Sequence, residues 1–501
     1  MPRTPAWLPA VAAVVISGGA YFISTGLGNF WPAAWVAPLP VLVLAFRSTR
    51  RTATVGAIAA HFLGSLNLLA HFAVLLPVVI VVPLLLLPAV AFAGAMLAAR
   101  HAVQRLPPWV AAFAFPAAWT SYEFLLSLVS PHGTALSLAY SQSAFLPLLQ
   151  VASLTGIWGI TFVLTLIPSA ITVAWTCRAR SPLVPVLAPI LAPALAILIV
   201  ALGFGAVRLR HPPRGPVVRV GLAATDEGVA AAFDTEDPAV ALAAARAYAE
   251  RVARLADEGA QVVVLPEKFV GVTPADAAGV LLVLGDAARD ARVTLIAGLN
   301  RVGISPPRNV AVVFAPDGRM IIQYQKHHLL PGPETGYAIG AAPGLFPAPA
   351  AQWGVAICKD MDFPAWLRGY GRRGVRILAV PAWDFVRDGR LHSRMAVVRG
   401  VENGFSIARV AQNGLLTFSD GYGRILAEAA SDTIPEAMLV QDLRPGPGRT
   451  FYTRYGDWFG WSSVAGLAGL LAASRRPRSL SGKWRRPLKR ARPADPGRPP
   501  G

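Results

Sequence analysis

Residues 355–364 read VAICKDMDFP, and the interpretation of this chain starts from the cysteine at position 358. The apolar letters VAI belong to a strand-like run, and the polar letters after them indicate a turn that begins at Cys358. A lone cysteine at the end of an apolar strand is most often a core residue. The segment therefore indicates chemistry only if reactive partners lie elsewhere in the chain.

Two other segments place charged side chains directly after strand-like runs. LPEKF, residues 265–269, sets Glu267 after an apolar run, and YQKHHLLPGPE, residues 324–334, sets Lys326 after another and ends on Glu334. A carboxylate, an amine and a thiol are suited to acyl transfer, because they supply a base, an oxyanion stabiliser and a nucleophile. Strand ends are where open α/β sheets bind ligands, so the three together predict an active site.

Each residue then has an expected role. Glu267 is the general base, because a thiol with an ordinary pKa of about 8.5 must lose its proton as it attacks. Lys326 stabilises the oxyanion and favours the thiolate of Cys358, and the backbone N–H of Lys359 is a second donor. Glu334 orients Lys326 or a loop above the site.

Neighbouring histidines raise the alternative of Cys–His catalysis. His327 and His328 directly follow Lys326, but no protease-type signature surrounds the cysteine, so we favour the Glu–Lys–Cys arrangement. The sequence has no spaced His, Cys and Asp cluster that would indicate a metal site. We therefore expect neither a metal nor another cofactor.

The composition indicates that part of the chain lies in a membrane. Of 501 residues, 54% are hydrophobic and 15% are charged, whereas soluble domains carry about 25% charged residues. Ten Lys or Arg and one Asp between positions 475 and 501 supply +9 of the net charge of +19. This proline-rich tail, with Trp484 as its single aromatic residue, does not indicate nucleic-acid binding.

Long apolar runs predict seven membrane-spanning helices, since each needs about 20 apolar residues. We place them at residues 6–24, 32–46, 53–73, 75–99, 108–129, 152–176 and 182–204. A shorter run at 458–474 predicts an eighth span. Because further spans follow the first run, we do not interpret that run as a cleaved signal peptide.

Basic residues in alternate loops predict the orientation of these spans. They precede the first run or follow the second, fourth and sixth: Arg3, Arg47, Arg50, Arg51, Arg100, Arg105, Arg178 and Arg180. Cytoplasmic loops carry such residues, so we expect a cytoplasmic N-terminus and an extracytoplasmic segment after the seventh span. Arg208, Arg210 and Arg214 follow the seventh span and argue against this orientation, but the four earlier loops outweigh them.

Two residues of the membrane half have alternative interpretations. Glu123 lies inside the fifth predicted span, where a carboxylate indicates a functional site or, more simply, a buried polar contact. Cys177 lies at the cytoplasmic end of the sixth, where it is a candidate for acylation or an ordinary boundary thiol.

From about residue 216 onward, strand-like runs alternate with helical segments, which predicts sheet strands covered by helices. The turn at 316–318, PDG, joins two strands and predicts an antiparallel edge, so we expect mixed sheets. We expect a seven-span domain, a catalytic α/β domain, a linker with the eighth helix, and a basic cytoplasmic tail that is disordered and either attracted to anionic headgroups or important only for topology. Their bounds are 1–214, 215–448, 449–474 and 475–501.

Taken together, these segments resemble the nitrilase, or carbon-nitrogen hydrolase, superfamily. LPE with Glu267, YQKHHLLPGPE with Lys326 and Glu334, and AIC with Cys358 stand at the motif positions of that superfamily. The eight predicted spans narrow the resemblance to the apolipoprotein N-acyltransferase family, which the whole chain up to about residue 474 resembles.

Other segments extend this resemblance. GTALSLAYSQSAFLPLLQVASLTGIWGITF at 133–162 and FYTRYGDWF at 451–459 are similar to the family's membrane segments. PAWDF, with Trp383, resembles the segment lining the acyl entrance, and QNG, with Asn413, resembles the strand turn beside it. The fold that the resemblance implies is a multi-span α-helical membrane bundle plus an α/β nitrilase-like domain, an α-β-β-α sandwich.

The resemblance also implies an activity. It is N-acylation of the N-terminal diacylglyceryl-cysteine of apolipoproteins, with a phospholipid as acyl donor and a thioester on Cys358 as intermediate. The implied location is the bacterial inner membrane, with the catalytic domain outside the cytoplasm and both termini inside. We expect a monomer, and because both substrates are two-tailed lipids, we expect the site to open sideways to the bilayer.

One departure leaves alternatives open. The family usually has an aromatic residue and a glutamate after its cysteine, where this chain has Lys359 and Asp360. A cation beside the nucleophile could lower the thiol pKa further or change what enters the pocket. The alternatives are a membrane-tethered amidase, in which water resolves the thioester, and a degenerate paralogue that only binds lipid or lipoprotein.

Overall fold

The computed structural model describes residues 7–178, 187–225 and 229–475. Arg3, Arg180 and the basic tail beyond Arg475 lie outside the described residues, so the predictions made for them stay predictions.

The first half of the described chain is helical. Small residues dominate its contacts: Ala53, Ala57 and Ala60 of one helix are buried against Tyr21 of another. Such residues let helix backbones approach closely where lipid replaces water. The bounds are α1 Leu8–Ser24, α2 Trp31–Val36, α3 Pro38–Arg47, α4 Arg50–Ser65, α5 Leu69–Leu75, α6 Val78–Arg105, α7 Pro108–Ala111, α8 Ala114–Val129, α9 Leu146–Leu149, α10 Ala152–Thr155, α11 Ile157–Arg178 and α12 Ala188–Leu209.

Five of the predicted spans correspond to helical segments that are long and apolar enough to cross a bilayer. Within the described residues these are Arg50–Ala73, Val78–Arg105, Pro108–Val129, Ile157–Arg178 and Ala188–Leu209. The first two predicted spans correspond to shorter apolar helices, Leu8–Ser24 and Trp31–Arg47. The eighth corresponds to α19, Trp458–Arg475, with 18 residues, and for these three the crossing stays a prediction.

One predicted span is divided differently in the structure. The run at 152–176 begins with the short helix α10, and Gly156 then adopts a φ of +66° before α11 begins. A side chain on Gly156 would meet the Tyr452 ring at 2.6 Å. Both the backbone conformation and the close approach therefore require glycine here.

The second half contains two β-sheets. The first has the order β13-β1-β2-β4-β5-β6 with β3 beside β4, and the second has the order β12-β11-β10-β9-β8-β7. The strands are β1 Val218–Thr225, β2 Val262–Val264, β3 Val270–Val272, β4 Thr294–Arg301, β5 Arg308–Phe314, β6 Met320–Gln325, β7 Gly344–Ala348, β8 Ala351–Val355, β9 Ile377–Trp383, β10 Ser406–Gln412, β11 Leu415–Ser419, β12 Ile425–Ala430 and β13 Glu436–Leu443.

Parallel pairing in the centre of each sheet decides where side chains can meet. Strands β1, β2 and β4 are parallel, as are β8, β9 and β10. Their carboxyl ends therefore share one edge of each sheet. Antiparallel strands such as β5 and β6 flank these centres, as the predicted mixed sheets require.

The sheets pack face to face, with helices on both outer faces. Val220 of β1 and Ile377 of β9 belong to the apolar layer between the sheets, and helices α14 to α17 cover the outside. The sequence dictates the start of α14 locally, because Asp237 caps Ala239 N–H at 2.8 Å and a proline follows the cap. The helices are α13 Val229–Ala232, α14 Pro238–Asp257, α15 Ala277–Ala291, α16 Pro364–Arg372, α17 Gly389–Asn403 and α18 Phe451–Tyr455. This is the expected α-β-β-α sandwich.

Buried polar contacts join the sandwich to the membrane half. In α17, Arg399 and Glu402 form a fully buried ion pair at 2.9 Å. Glu402 accepts a hydrogen bond from the backbone N–H of Ile157 at 2.9 Å, and Arg399 donates to the Tyr140 hydroxyl at 3.0 Å. The start of α11 is therefore fixed on α17.

A second junction forms around Asp457, which precedes α19. Its carboxylate accepts hydrogen bonds from Trp158 at 2.9 Å, Arg368 at 2.7 Å and Tyr452 at 2.7 Å. Three elements, α11, α16 and α18, therefore meet at one carboxylate.

We expect Glu402→Ala to lower the melting temperature of the detergent-solubilised protein by about 10 °C. It leaves the Arg399 guanidinium buried beside a cavity, which costs about 3–5 kcal/mol. Asp286→Ala is the matched control, because it removes an exposed partner of Arg289 at 2.7 Å and should move the melting temperature by less than about 2 °C. Equal melting temperatures for the two variants would contradict the importance of this junction.

Candidate active site

The three predicted catalytic side chains lie after β2, β6 and β8. Glu267 and Lys326 are 1% and 2% exposed, and Cys358 is partly exposed. Glu267 donates its N–H to the carbonyl of Ala382 at 3.4 Å, and the Cys358 thiol lies 3.5 Å from the next carbonyl, that of Trp383. The end of β9 therefore holds the base and the nucleophile side by side.

The Lys326 ammonium lies between two carboxylates. Its Nζ is 2.8 Å from Oε1 of Glu267 and 2.8 Å from Oε2 of Glu334. A buried ammonium is stable only when it is paired and hydrogen-bonded. Glu334 therefore lies within hydrogen-bond distance of Lys326, and the role expected for it, to orient Lys326 or a loop above the site, stays a prediction.

Two further side chains complete this cluster. Asn309 donates its amide to Glu267 Oε1 and to Glu334 Oε1, both at 2.6 Å, and Lys268 reaches Glu334 Oε1 at 3.1 Å. The cluster contains two lysines and two carboxylates, so its charges cancel when all four are ionised.

The charges set the protonation states. Burial would lower the pKa of Lys326, but Glu267 and Glu334 raise it well above its usual value. Burial would raise the pKa of Glu334, but Lys326 and Lys268 lower it to about 2. Burial and the charge of Glu267 raise the pKa of the Cys358 thiol well above its usual value. The resting site therefore holds a neutral thiol beside a charged lysine.

The turn that carries Cys358 is a 3-10 helix over Cys358–Asp362. Cys358 has a φ of +42°, a left-handed conformation that is strained for a residue with a side chain. Asp360 holds the turn: it accepts from the Tyr324 hydroxyl at 2.6 Å, from Ile357 N–H at 3.0 Å and from His328 N–H at 2.8 Å. The buried Asp360 carboxylate therefore holds the strained backbone at Cys358 in place.

The Lys359 side chain is directed at the membrane half. Its Nζ lies 3.1 Å from Asp362 and 3.2 Å from the His132 ring. Asp362 pairs with this cation, and burial and the charge of Glu267 raise the pKa of the Cys358 thiol. The backbone N–H of Lys359 occupies the first turn of the 3-10 helix, and its service as an oxyanion donor stays a prediction.

Trp383 ends β9 and its carbonyl lies 3.5 Å from the thiol, whereas Asn413 directly follows Gln412 of β10, the residue that pairs with Trp383. The Trp383 ring packs on Phe233 with 5.4 Å between centroids, and Asn413 turns β10 into β11 with a φ of +55°. Next to Trp383, Asp384 forms a buried ion pair with Arg409 at 2.5 Å. This pair fixes the end of β9, whose carbonyls face the thiol and Glu267.

A loop of the membrane half contacts the nucleophile turn. The carbonyl of Asp362 accepts hydrogen bonds from Thr134 N–H at 3.0 Å and from its hydroxyl at 2.8 Å. Glu123 holds the same loop, because it accepts from Ser137 at 2.7 Å and from Leu138 N–H at 2.8 Å. Glu123 thus has the contacts of a buried polar anchor. Because the nucleophile turn contacts this loop, the thiol lies on the side of the sandwich that faces the membrane helices.

Sequence reasoning missed several of these residues. Asn309 and Arg409 sit inside strands and Asp384 looked like an ordinary turn residue, so no local pattern marked them. Asp360 was noted only as a departure from the family pattern, without its contacts. The histidines set aside earlier are stacking residues: His327 lies 3.8 Å from Trp366 and His328 lies 3.6 Å from Phe363, between ring centroids. Among the described residues, no cluster of His, Cys, Asp or Glu is placed to hold a metal ion.

We expect Glu334→Gln to remove an acid-dependent part of the stability. The folded-state pKa of Glu334 is depressed from 4.5 to about 2, so its contribution is present above pH 4.5 and is lost as the pH falls towards 2. The contribution is on the order of 3 kcal/mol. Melting temperatures measured from pH 6 to pH 2.5 should therefore fall less steeply in this variant, from a lower value at neutral pH.

Asp317→Asn, which changes a carboxylate that is 65% exposed, serves as the control and should keep the wild-type slope. A Glu334→Gln variant with that same slope would show that Glu334 is not ionised against the lysines.

Comparison with known proteins supports the assignment of both halves. The apolipoprotein N-acyltransferase N-terminal domain matches residues 17–170, and the carbon-nitrogen hydrolase domain matches residues 229–440. An amidase from Nesterenkonia sp. is similar in structure, with 22% identity, a TM-score of 0.41, and coverage of 48% of this chain and 94% of that one.

Relatives of similar sequence carry related names. The apolipoprotein N-acyltransferase of Geobacter metallireducens is 27% identical over 398 residues, 73% of this chain and 74% of that protein. The one from Brucella melitensis is 28% identical over 321 residues, 56% and 58% of the two chains. Omega-amidase NIT2 of Mus musculus is 27% identical over 225 residues, 38% of this chain and 79% of that protein. The chain thus carries, in this order, an apolipoprotein N-acyltransferase N-terminal domain and a carbon-nitrogen hydrolase domain, and over most of its length it is similar to proteins named apolipoprotein N-acyltransferase, which are enzymes of the carbon-nitrogen hydrolase superfamily.

Proposed function

We propose that this protein transfers an acyl chain from a phospholipid to the α-amine of the N-terminal diacylglyceryl-cysteine of a lipoprotein. The observation that carries the proposal is a Lys326 ammonium held between Glu267 and Glu334, beside a thiol on the membrane side of the sandwich. The similarity to proteins named apolipoprotein N-acyltransferase supports lipoprotein N-acylation in general. We propose in addition that the donor is a phospholipid, that the intermediate is a thioester on Cys358, and that acyl transfer to the amine follows its formation.

The first half-reaction begins at the neutral thiol. Cys358 attacks the carbonyl carbon of an acyl ester while Glu267 takes the thiol proton. Lys326 donates a hydrogen bond to the oxyanion, with the Lys359 N–H as second donor. Glu267 then returns the proton to the departing glycerol oxygen, which leaves a lysophospholipid and a thioester on Cys358.

The charge balance of the site favours this step. While Glu267 holds the proton, the cluster of Lys326, Lys268, Glu267 and Glu334 changes from neutral to one net positive charge. That positive charge appears when the oxyanion forms, so the cluster stabilises the intermediate more than the ground state. Without Glu334, Lys326 would lose its proton more easily and would stabilise the oxyanion less well.

The second half-reaction uses the same groups in reverse. The α-amine of the lipoprotein attacks the thioester carbonyl, and Glu267 takes a proton from the nitrogen. The tetrahedral intermediate collapses to an amide and releases the sulfur of Cys358, which Glu267 reprotonates. The site must keep water from the thioester, because hydrolysis would give the product of an amidase.

The protein is a bacterial membrane protein, as its family and its five long apolar helices indicate. We propose further that the sandwich lies outside the cytoplasm and that the site takes lipids sideways from the bilayer. One contact and one exposed side chain support a mouth near the membrane: His71 of α5 lies 3.6 Å from Asp388, and Val386, two residues earlier in this loop, is 54% exposed. We propose a monomer with phospholipid and diacylglyceryl-lipoprotein as its partners.

Trapping of the acyl-enzyme tests the proposal. We expect purified protein, incubated without acceptor with a phospholipid labelled in its sn-1 chain, to retain label that neutral hydroxylamine releases. Cys358→Ala should retain none, because the thioester needs the sulfur. Lys326→Met should lower the rate of labelling by at least about a hundredfold, since it removes the oxyanion donor.

Two controls make the result decisive. Cys177→Ala should label like the wild-type protein, and the melting temperature of Cys358→Ala should show that it is folded. A folded wild-type protein that takes no label from phospholipid would refute the donor, and label that resists hydroxylamine would refute the thioester.

A further inference from the structure

We propose that the end of α12 forms a binding site for the phosphate group of a membrane phospholipid, separate from the active site. Arg208, His211 and Tyr422 supply its polar groups, and Phe204 and Val207 supply its apolar wall. The bound lipid is a structural anchor and not the acyl donor.

The site is a cavity of about 300 Å³ between α12 and the sandwich, lined by Phe204, Val207, Arg208, His211 and Tyr422. One wall of the cavity belongs to α12 and the residues after it. The other wall is Tyr422, which lies in the turn between β11 and β12 of the sandwich. Val207 is 56% exposed and lies in the last turn of the apolar helix, so the cavity is open on the lipid-facing side.

Arg208 has unused hydrogen-bonding capacity in this cavity. Its Nε donates to Gln150 at 3.0 Å, and its guanidinium lies over the Tyr422 ring at 5.3 Å. Its Nη2 is buried and has no hydrogen-bond partner among the described residues. A buried guanidinium nitrogen without an acceptor is costly, so the site is completed by an anion.

The simpler explanation is that the basic residues near the end of α12 only satisfy the last carbonyl groups of that helix. Arg424 already serves that purpose, because it donates to the carbonyl of Leu209 and pairs with Asp420 at 2.9 Å. The Arg424 guanidinium also lies over the Tyr422 ring, at 5.3 Å from its centroid. With the helix end satisfied by Arg424, Arg208 is the cation that remains for a ligand.

The surroundings select a phospholipid over a soluble anion. Phe204 and Val207 belong to a helix that is apolar enough to cross a bilayer, Ala188–Leu209, and the arginine follows at its end. This order of apolar wall and then cation matches the order of acyl chain and then phosphate in a lipid. Guanidinium groups bind phosphate oxygens in pairs, and tyrosine is favoured at membrane interfaces.

The site is distinct from the catalytic centre. Cys358 lies at the carboxyl ends of the parallel strands β8, β9 and β10, whereas Tyr422 follows the antiparallel strand β11 at their amino ends. The seven residues of β10 separate the two ends by about 20 Å. A lipid bound at Arg208 therefore cannot present its ester to the thiol.

This inference accounts for Arg208, Arg210 and Arg214, the basic residues that argued against the predicted orientation. An arginine that follows a span can bind lipid phosphate on either side of the membrane, so its position does not by itself indicate the cytoplasmic side. Arg210 and Arg214 are exposed next to the cavity in sequence and add to the local positive charge.

Native mass spectrometry of the full-length protein in detergent tests the inference. We expect the wild-type protein to bind added phosphatidylglycerol or phosphatidylethanolamine, and Arg208→Gln to weaken the binding of one lipid molecule by about tenfold. Arg208→Lys should keep most of that binding. Val207→Phe fills the cavity without removing a charge and should also abolish the binding of one lipid, even if Arg208→Gln fails to fold.

Arg319→Gln is the matched control, because it removes one arginine that is 73% exposed at a distant turn, and it should bind lipid normally. Wild-type lipid binding by both Val207→Phe and folded Arg208→Gln would overturn the inference. Equal binding of diacylglycerol would overturn phosphate recognition, and displacement of the lipid by millimolar inorganic phosphate would identify a free anion as the ligand instead.

Discussion

The Lys326 ammonium, buried between Glu267 and Glu334, is the interaction on which the candidate site depends. An ammonium without water is stable only with nearby negative charge, so the segment after β2, with Glu267, and the loop after β6, with Glu334, must converge on it. Asn309 ties the two carboxylates together at 2.6 Å each, and Lys268 restores neutrality. The same pairing that makes the lysine tolerable in the protein interior keeps it charged for the reaction.

The second constraint is the attachment of the sandwich to the helices. The nucleophile turn is bound to the loop that contains Thr134, and helix α17 is bound to α11 through Glu402. At the other end of the strands, Arg424 reaches the carbonyl of Leu209. Contacts at both ends of the sheet fix the position of the thiol relative to the apolar helices, which the proposed transfer between two lipid substrates would require.

Local patterns predicted most of the elements and the triad. Apolar runs gave the strands that lead to Glu267, Lys326 and Cys358, because a buried strand followed by a polar turn is visible in a short window. Strands β3, β7, β11 and β13 escaped prediction: β3 has only three residues, β7 contains a proline, and β11 has only five residues. Strands of this kind take their conformation from neighbouring strands that the local sequence does not show.

The supporting residues could not be predicted for a related reason. Asp360 is a departure from the family pattern in sequence, yet its carboxylate receives hydrogen bonds from Tyr324 and His328, more than thirty positions away. Glu123 was open to a functional reading until its partners in the loop were known. In both cases the role lies in long-range contacts, which only the fold supplies.

The central claim is that the Cys358 thioester is resolved by an amine and not by water. A single-turnover chase measures this directly: the labelled acyl-enzyme is isolated and mixed with a diacylglyceryl-cysteine peptide or with buffer alone. The account predicts that label moves to the α-amine of the peptide within seconds to minutes and stays on the protein in buffer. Release of the label as free fatty acid, at the same rate with and without the peptide, would contradict it and identify a hydrolase.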